Sequence, residues 1–142
     1  MKKVKLAIVL FSVLFIVFFL SYSGLSRFLP KKLESRVYSK ESSTAGVIEV
    51  GAVPKELGPG REMIFTLNLN NHTMNLDYDY AKMAVVIDDR GNIYKPVKWI
   101  SEGGGHHISG DLVFSKLSNK ATHVGLNISG IDNKNVNFDW EM

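Results

Sequence analysis

An all-β fold follows from three features of this 142-residue sequence. After Gly46 apolar residues recur at every second position, turn-forming clusters interrupt them at short intervals, and no long helical pattern separates them. Period-two alternation means that one face of each strand is buried and the other wet. Strands of this length joined by turns predict an antiparallel β-sandwich of about seven strands, immunoglobulin-like, with a small barrel as the alternative.

The elements come in order. MKKVK is a charged head, and Leu6 to Ser26 is an uncharged run of 21 residues, close to the ~20 that cross a bilayer as a helix. Ser21-Tyr22-Ser23 is a poor small-x-small cleavage site, and the run before it is long and rich in Phe. The segment is therefore read as an uncleaved signal-anchor transmembrane helix over residues 1–29 rather than a cleaved leader. Lys2, Lys3 and Lys5 favour a cytoplasmic N-terminus, which makes the chain a single-pass protein of the cell membrane with its C-terminal domain extracytoplasmic. Residues 30–46, PKKLESRVYSKESSTAG, are polar and rich in Ser and Lys and form a juxtamembrane linker. The sandwich domain occupies residues 47–142.

Within that domain Ile48, Val50 and Ala52 share one face, and Met63, Phe65, Leu67 and Leu69 share another, opposite Thr66, Asn68 and Asn70. Ala81–Asp88 alternates less cleanly, with Met83, Val85 and Ile87 against Ala84 and Val86, as in a central strand. Asp89-Arg90-Gly91-Asn92 is a turn, and Ile93, Val97 and Trp99 mark the next strand. Leu112 and Phe114 follow, then Val124, Leu126 and Ile128, then Val136, Phe138 and Trp140. Trp99 and Trp140 fall in phase with inward positions and are read as core. Pro96 inside a strand pattern marks an edge or a bulge.

Charge and composition remove several function classes. Four of the 17 basic residues (Lys2, Lys3, Lys5 and Arg27) flank the N-terminal apolar run, which leaves 13 basic against 14 acidic residues from Lys31 onward. A near-neutral domain lacks the basic face of a nucleic-acid binder. The chain has no cysteine, so disulfides, thiolate metal sites, a Cys nucleophile and lipobox-type lipidation are all excluded.

The segments HTMNLDYDY (72–80), VVIDDRGNIYKPVKW (85–99), GGGHHISGDLVF (103–114) and FDW (138–140) together resemble a group of uncharacterised prokaryotic proteins. In these an anchor or signal sequence precedes a small immunoglobulin-like domain. The resemblance covers residues 64–140, and its GGHHxxGxLxF block is the most specific part. It implies the sandwich fold and an extracytoplasmic placement, and it implies no activity. Members of the group often carry a basic residue after the His pair where this chain has Ile108, so the resemblance implies no cation at that position.

The stretch from Trp99 to Phe114 holds the densest set of chemically capable residues. Adjacent side chains on a strand point to opposite faces, yet Gly103, Gly104 and Gly105 permit backbone turns that could bring His106 and His107 together. His72, Asp77 and Asp79 lie in the 70–80 loop, which in a sandwich can share an end with the 100–110 loop. One reading is a copper or zinc site built from His106, His107 and His72, with Asp77 or Asp79 assisting. The plainer reading is a tight glycine corner in which a histidine packs on Trp99 or bonds a strand end, because no spacing here matches an established metal signature. Asp77, Asp79, Asp88 and Asp89 supply oxygen donors but lack the spacing of a calcium loop and fit turn caps better. No Gly-x-Ser-x-Gly elbow is present. Asn71-His72-Thr73 and Asn127-Ile128-Ser129 are formal glycosylation sequons. The expected function is a non-enzymatic envelope module that binds another envelope protein or serves as an accessory domain, needs no cofactor, and touches the membrane through its helix.

Overall fold

The chain crosses between two antiparallel sheets three times, and these crossings place every loop discussed below. The computed structural model describes residue 38 and residues 41–142, and Val37–Met142 forms a compact unit of its own. The expected helix over residues 1–29 lies outside the described residues. Among the described residues no helix is long and apolar enough to cross a membrane.

Nine strands and one helical turn are present among the described residues: β1 (Glu41–Ala45), β2 (Ile48–Glu56), β3 (Glu62–Asn70), α1 (Tyr80–Met83), β4 (Ala84–Asp88), β5 (Ile93–Tyr94), β6 (Pro96–Gly104), β7 (His107–Lys116), β8 (His123–Ile131) and β9 (Lys134–Glu141). One sheet has the order β1-β2-β3-β7-β6 and the other β5-β4-β8-β9. The crossings are the 70–80 loop, Lys95, and residues 117–122.

The alternation in the sequence becomes the two inner faces. Met63, Phe65, Leu67 and Leu69 are fully buried on β3, as are Val124, Leu126 and Ile128 on β8, while Val136, Phe138 and Trp140 line β9. The sheets meet through aromatic rings. Phe65 of the first sheet lies 5.1 Å from the Trp140 ring of the second and 5.7 Å, edge-on, from Phe114. Burying a side chain of this size contributes about 2–3 kcal/mol, so the Phe65 cluster is a principal join between the layers.

Several sequence expectations are revised. The fold has nine strands where about seven were expected. Glu41–Ala45, assigned by composition to the linker, pairs with β2 from Glu41↔Ala52 to Ala45↔Ile48, so the sheet begins before residue 47. On β4 the buried set is Ala84, Val86 and Asp88, and Ile87 faces out. Ile93 and Val97 are exposed because the chain leaves one sheet and enters the other between them, which breaks the alternation. Pro96 meets both expectations: β6 is an edge strand, and its register against β7 shifts between Pro96 and Lys98.

Trp140 is core. Trp99 is only half-buried; its ring lies 5.0 Å from that of Tyr80 and crosses over Gly110, where a Cβ would stand 2.5 Å from the indole and 2.7 Å from the Ile100 carbonyl oxygen. Gly110 is therefore glycine because the indole occupies the space of a side chain.

Candidate functional site

Three glycines and two histidines build a hairpin tip. Gly104 pairs with His107, so β6 and β7 are joined by the two residues Gly105 and His106. Gly105 has φ +77° and His106 has no positive φ, the pattern of a type II′ turn, which takes glycine first. The plainer reading of the glycines is thus correct: they form a tight corner.

The 70–80 loop wraps this tip, and the two regions share an end of the sandwich as the sequence suggested. The Asn71 amide donates to the His106 carbonyl (3.0 Å) and the Leu76 amide to the Gly105 carbonyl (2.8 Å). The Gly105 amide reaches Asp77 Oδ1 at 3.4 Å. Leu76 and Tyr80 are fully buried and peg the loop to the core, with the Tyr80 hydroxyl donating to the Leu76 carbonyl at 2.8 Å. Burial pushes the Tyr80 phenol well above its ordinary pKa, so it serves as a neutral donor.

Asn71 organises the loop. It is 3% exposed; its Oδ1 accepts from the Thr73 and Met74 amides, and its Nδ2 donates to the Met74 carbonyl at 2.8 Å. This is an Asx turn closed on itself. Sequence reasoning noticed Asn71 only as a sequon; the signal that would have found its role is Asn at the first residue after a strand, with polar residues following. The amide nitrogen that a glycan would need is buried and donates to the Met74 carbonyl in the folded protein.

The five candidate metal-site residues separate into four groups. His106 and His107 point apart: His106 Nδ1 lies 2.8 Å from the Met74 carbonyl oxygen, and His107 Nδ1 lies 3.0 Å from Asn70 Oδ1. His72 joins His107, with ring centroids 6.0 Å apart and the rings edge-on at 77°. Asp77 sits under the turn. Asp79 turns to Lys82, 2.8 Å away, and that contact holds its carboxyl below the ordinary range. Among the described residues no three His, Asp or Glu side chains are gathered as a metal cluster. All three histidines are exposed. A carbonyl can only accept, so His106 donates from Nδ1 to Met74, and its Nε2 is left towards solvent.

From this end a polar ladder runs along the outer face of the five-stranded sheet. Ser109 donates to Asn68 (3.0 Å), Thr66 donates to Asp111 (2.7 Å), and Lys55 pairs with the other Asp111 oxygen (2.7 Å). Partial burial pushes the Asp111 carboxyl up, but the bonds from Lys55 and Thr66 outweigh it and hold the carboxyl low.

The remaining aspartates serve turns. Asp88 is 4% exposed and accepts from the Arg90 amide, the Asn92 amide and side chain, and the Tyr94 hydroxyl. Burial raises the Asp88 carboxyl, yet these bonds prevail and hold it below its ordinary value. Asp89 caps Thr122 through that residue's amide and hydroxyl. No protein-family model, curated protein or solved structure matches this chain.

Proposed function

We propose that this chain is a membrane-anchored, extracytoplasmic binding module of immunoglobulin-like topology. In this reading it is non-enzymatic and presents its histidine end to another protein of the cell envelope. Strand order supports the topology. With β1 set aside, strands β2 to β9 taken as A, B, C, C′, D, E, F and G give sheets A-B-E-D and C′-C-F-G, the immunoglobulin pairing with one added strand. The 21-residue uncharged run behind a lysine head supports the anchor and orientation. Membership of the exported group with the GGHH block belongs to the same proposal.

The observation that carries the binding role is rigid presentation. The 70–80 loop and the 105–106 turn are bonded to each other backbone to backbone and pegged by Leu76 and Tyr80, while His72, His106 and His107 stay exposed. Recognition surfaces are commonly loops held by such a scaffold. A photoreactive side chain placed at His72 or His106 in the full chain in membranes should give one discrete adduct, and the same group at Lys120, exposed at the opposite end of the sandwich, should give none. No adduct from either histidine position, or equal adducts from all three, would sink the reading.

A second reading, copper or zinc at the same end, is favoured by the 6.0 Å approach of His72 and His107 together with the oxygen contacts at Nδ1 of His106 and His107. An imidazole tied at one nitrogen offers the other as a metal ligand. Thermal melts with copper(II) or zinc(II) test it. A metal-dependent rise in Tm that disappears in a His72→Ala/His107→Ala variant would place the metal there. An unchanged melt would leave the histidines to protein recognition.

A further inference from the structure

We propose that two copies of this chain associate edge to edge through β6, antiparallel and about a two-fold axis at Ile100, joining their five-stranded sheets into one. At one side of the sandwich β1 lies alongside β9, so those two edges shield each other. At the other side β5 is two residues long, whereas β6 runs nine residues from Pro96 to Gly104 with no strand paired beyond it among the described residues. A long edge presents a row of unpaired backbone groups that templates another strand. This edge also carries exposed apolar side chains, Val97 at 68% and Ile100 at 45%, beside its charged residues.

The backbone parity is fixed by the hairpin. A two-residue turn makes its closing pair, Gly104 with His107, a hydrogen-bonded pair. Stepping back by twos, Glu102, Ile100 and Lys98 also turn their backbone groups towards β7, while Trp99 and Ser101 turn theirs outward. A second β6 running antiparallel satisfies these groups when Trp99 of one copy meets Ser101 of the other. This register gives four backbone hydrogen bonds, Trp99 and Ser101 of each copy both donating and accepting.

The same register settles the side chains. Ile100 falls opposite Ile100 of the partner subunit, Lys98 opposite the partner's Glu102, and Glu102 opposite the partner's Lys98. These are non-hydrogen-bonded pairs, whose side chains approach most closely. The strand is therefore complementary to itself in charge about its own midpoint, which selects a second copy as the occupant. The register shift at Pro96–Lys98 ends the pairing on one side and the hairpin turn ends it on the other. Gly103, with φ +90°, adds no side chain that would obstruct the approach.

The absence of cysteine makes the test clean. In the full chain in membranes, Ile100→Cys should form a disulfide-linked dimer under mild oxidation, because paired residues of this kind stand within disulfide reach. Lys98→Cys should link several-fold less, since each copy of residue 98 lies four positions from the other along the ladder, roughly 13 Å. Val47→Cys, more exposed than Ile100 but in the β1–β2 turn, should not link above background. Reversing charge then tests the chemistry. Lys98→Glu or Glu102→Lys alone converts both symmetric pairs to like charges and should weaken dimerisation by about tenfold. The double reversal should restore it, and an equimolar mixture of the two single variants should form mixed dimers. Both residues are exposed, so circular dichroism should report unchanged folding in every variant. Equal linking at residues 47 and 100, no linking at residue 100, or single reversals without effect would each overturn the proposal.

Discussion

Asn71 and Asp88 are the two buried polar or charged side chains among the described residues, and each holds together the loops at one end of β4. The loop organised by Asn71 leads into that strand; Asp88 ends it. The two differ in what their surroundings demand. Asp88 faces four donors and no acceptor, a setting that an acceptor-only carboxylate fills completely. Asn71 faces two amide donors and one carbonyl, a setting that only a group with both an acceptor and a donor can satisfy. Identical side-chain shapes are thus assigned by hydrogen-bond count, with the result that the buried centre at one end of β4 can titrate and the one at the other end cannot.

The largest test of this contrast is removal of the charged centre. Asp88→Ala leaves four donors without their acceptor and releases Tyr94, whose hydroxyl also accepts the Ser118 amide and so ties the β4–β5 turn to the 117–122 crossing. A loss of about 3 kcal/mol is expected, read as a lower urea midpoint at unchanged slope. The charge itself is tested with acid. Because the fold holds the Asp88 carboxyl below its ordinary value, its stabilisation is complete above the unfolded-chain value near ~4 and is lost as the pH falls through the folded value. Asp88→Asn removes that linkage, and its stability should fall less steeply than that of the wild type between about pH 5 and pH 2. Parallel curves would move the acid sensitivity to Asp89 or Asp111.

The reciprocal change, Asn71→Asp, should behave with the opposite sign. At neutral pH the introduced carboxylate faces the Met74 carbonyl that the native amide satisfied, at an expected cost of about 2 kcal/mol. A protonated carboxyl can donate to that carbonyl, so folding raises the introduced group's pKa. The penalty should shrink as the pH falls and grow as the pH rises through that value. A penalty independent of pH would show that the loop has rearranged and that the donor to Met74 is dispensable.

Sequence made the sandwich interior legible and its periphery much less so. On β3, β8 and β9 every second residue enters one continuous apolar layer, and that requirement writes Met63, Phe65, Leu67 and Leu69, or Val136, Phe138 and Trp140, directly into the chain. Edges and crossings impose no such requirement. Glu41–Ala45 buries only Ala45 and therefore reads as linker. Ile93 and Val97 look inward because they alternate, but a change of sheet between them cancels the phase. Asp88 is a polar residue at a buried position of β4, and the need for it arises from donors that only the folded turn brings together. At the histidine end, the sequence allowed the two loops to share an end of the sandwich and offered a corner at Gly103–Gly105 as one of two readings. It could not show that His106 and His107 lean to different partners, since a turn's dihedral angles, and not residue spacing, aim those rings.

The smallest effect is the most informative about function. His106→Ala removes one hydrogen bond to the Met74 carbonyl, which Asn71 Nδ2 continues to satisfy, from a side chain that is already exposed. The expected cost is about 0.5–1 kcal/mol, with the Leu76 and Asn71 amides still protected from hydrogen exchange by their bonds to the Gly105 and His106 carbonyls. Those bonds use the backbone of the turn and survive loss of the ring. Asn71 would then be the residue that builds this end, and His106 one that is carried on it and free to meet a partner. A His106→Ala loss as large as that of Asn71→Asp, with both amides exchanging freely, would make the histidine a structural strut. The contrast between the two ends would then rest on three polar side chains rather than two, and recognition would have to shift to His72 and His107.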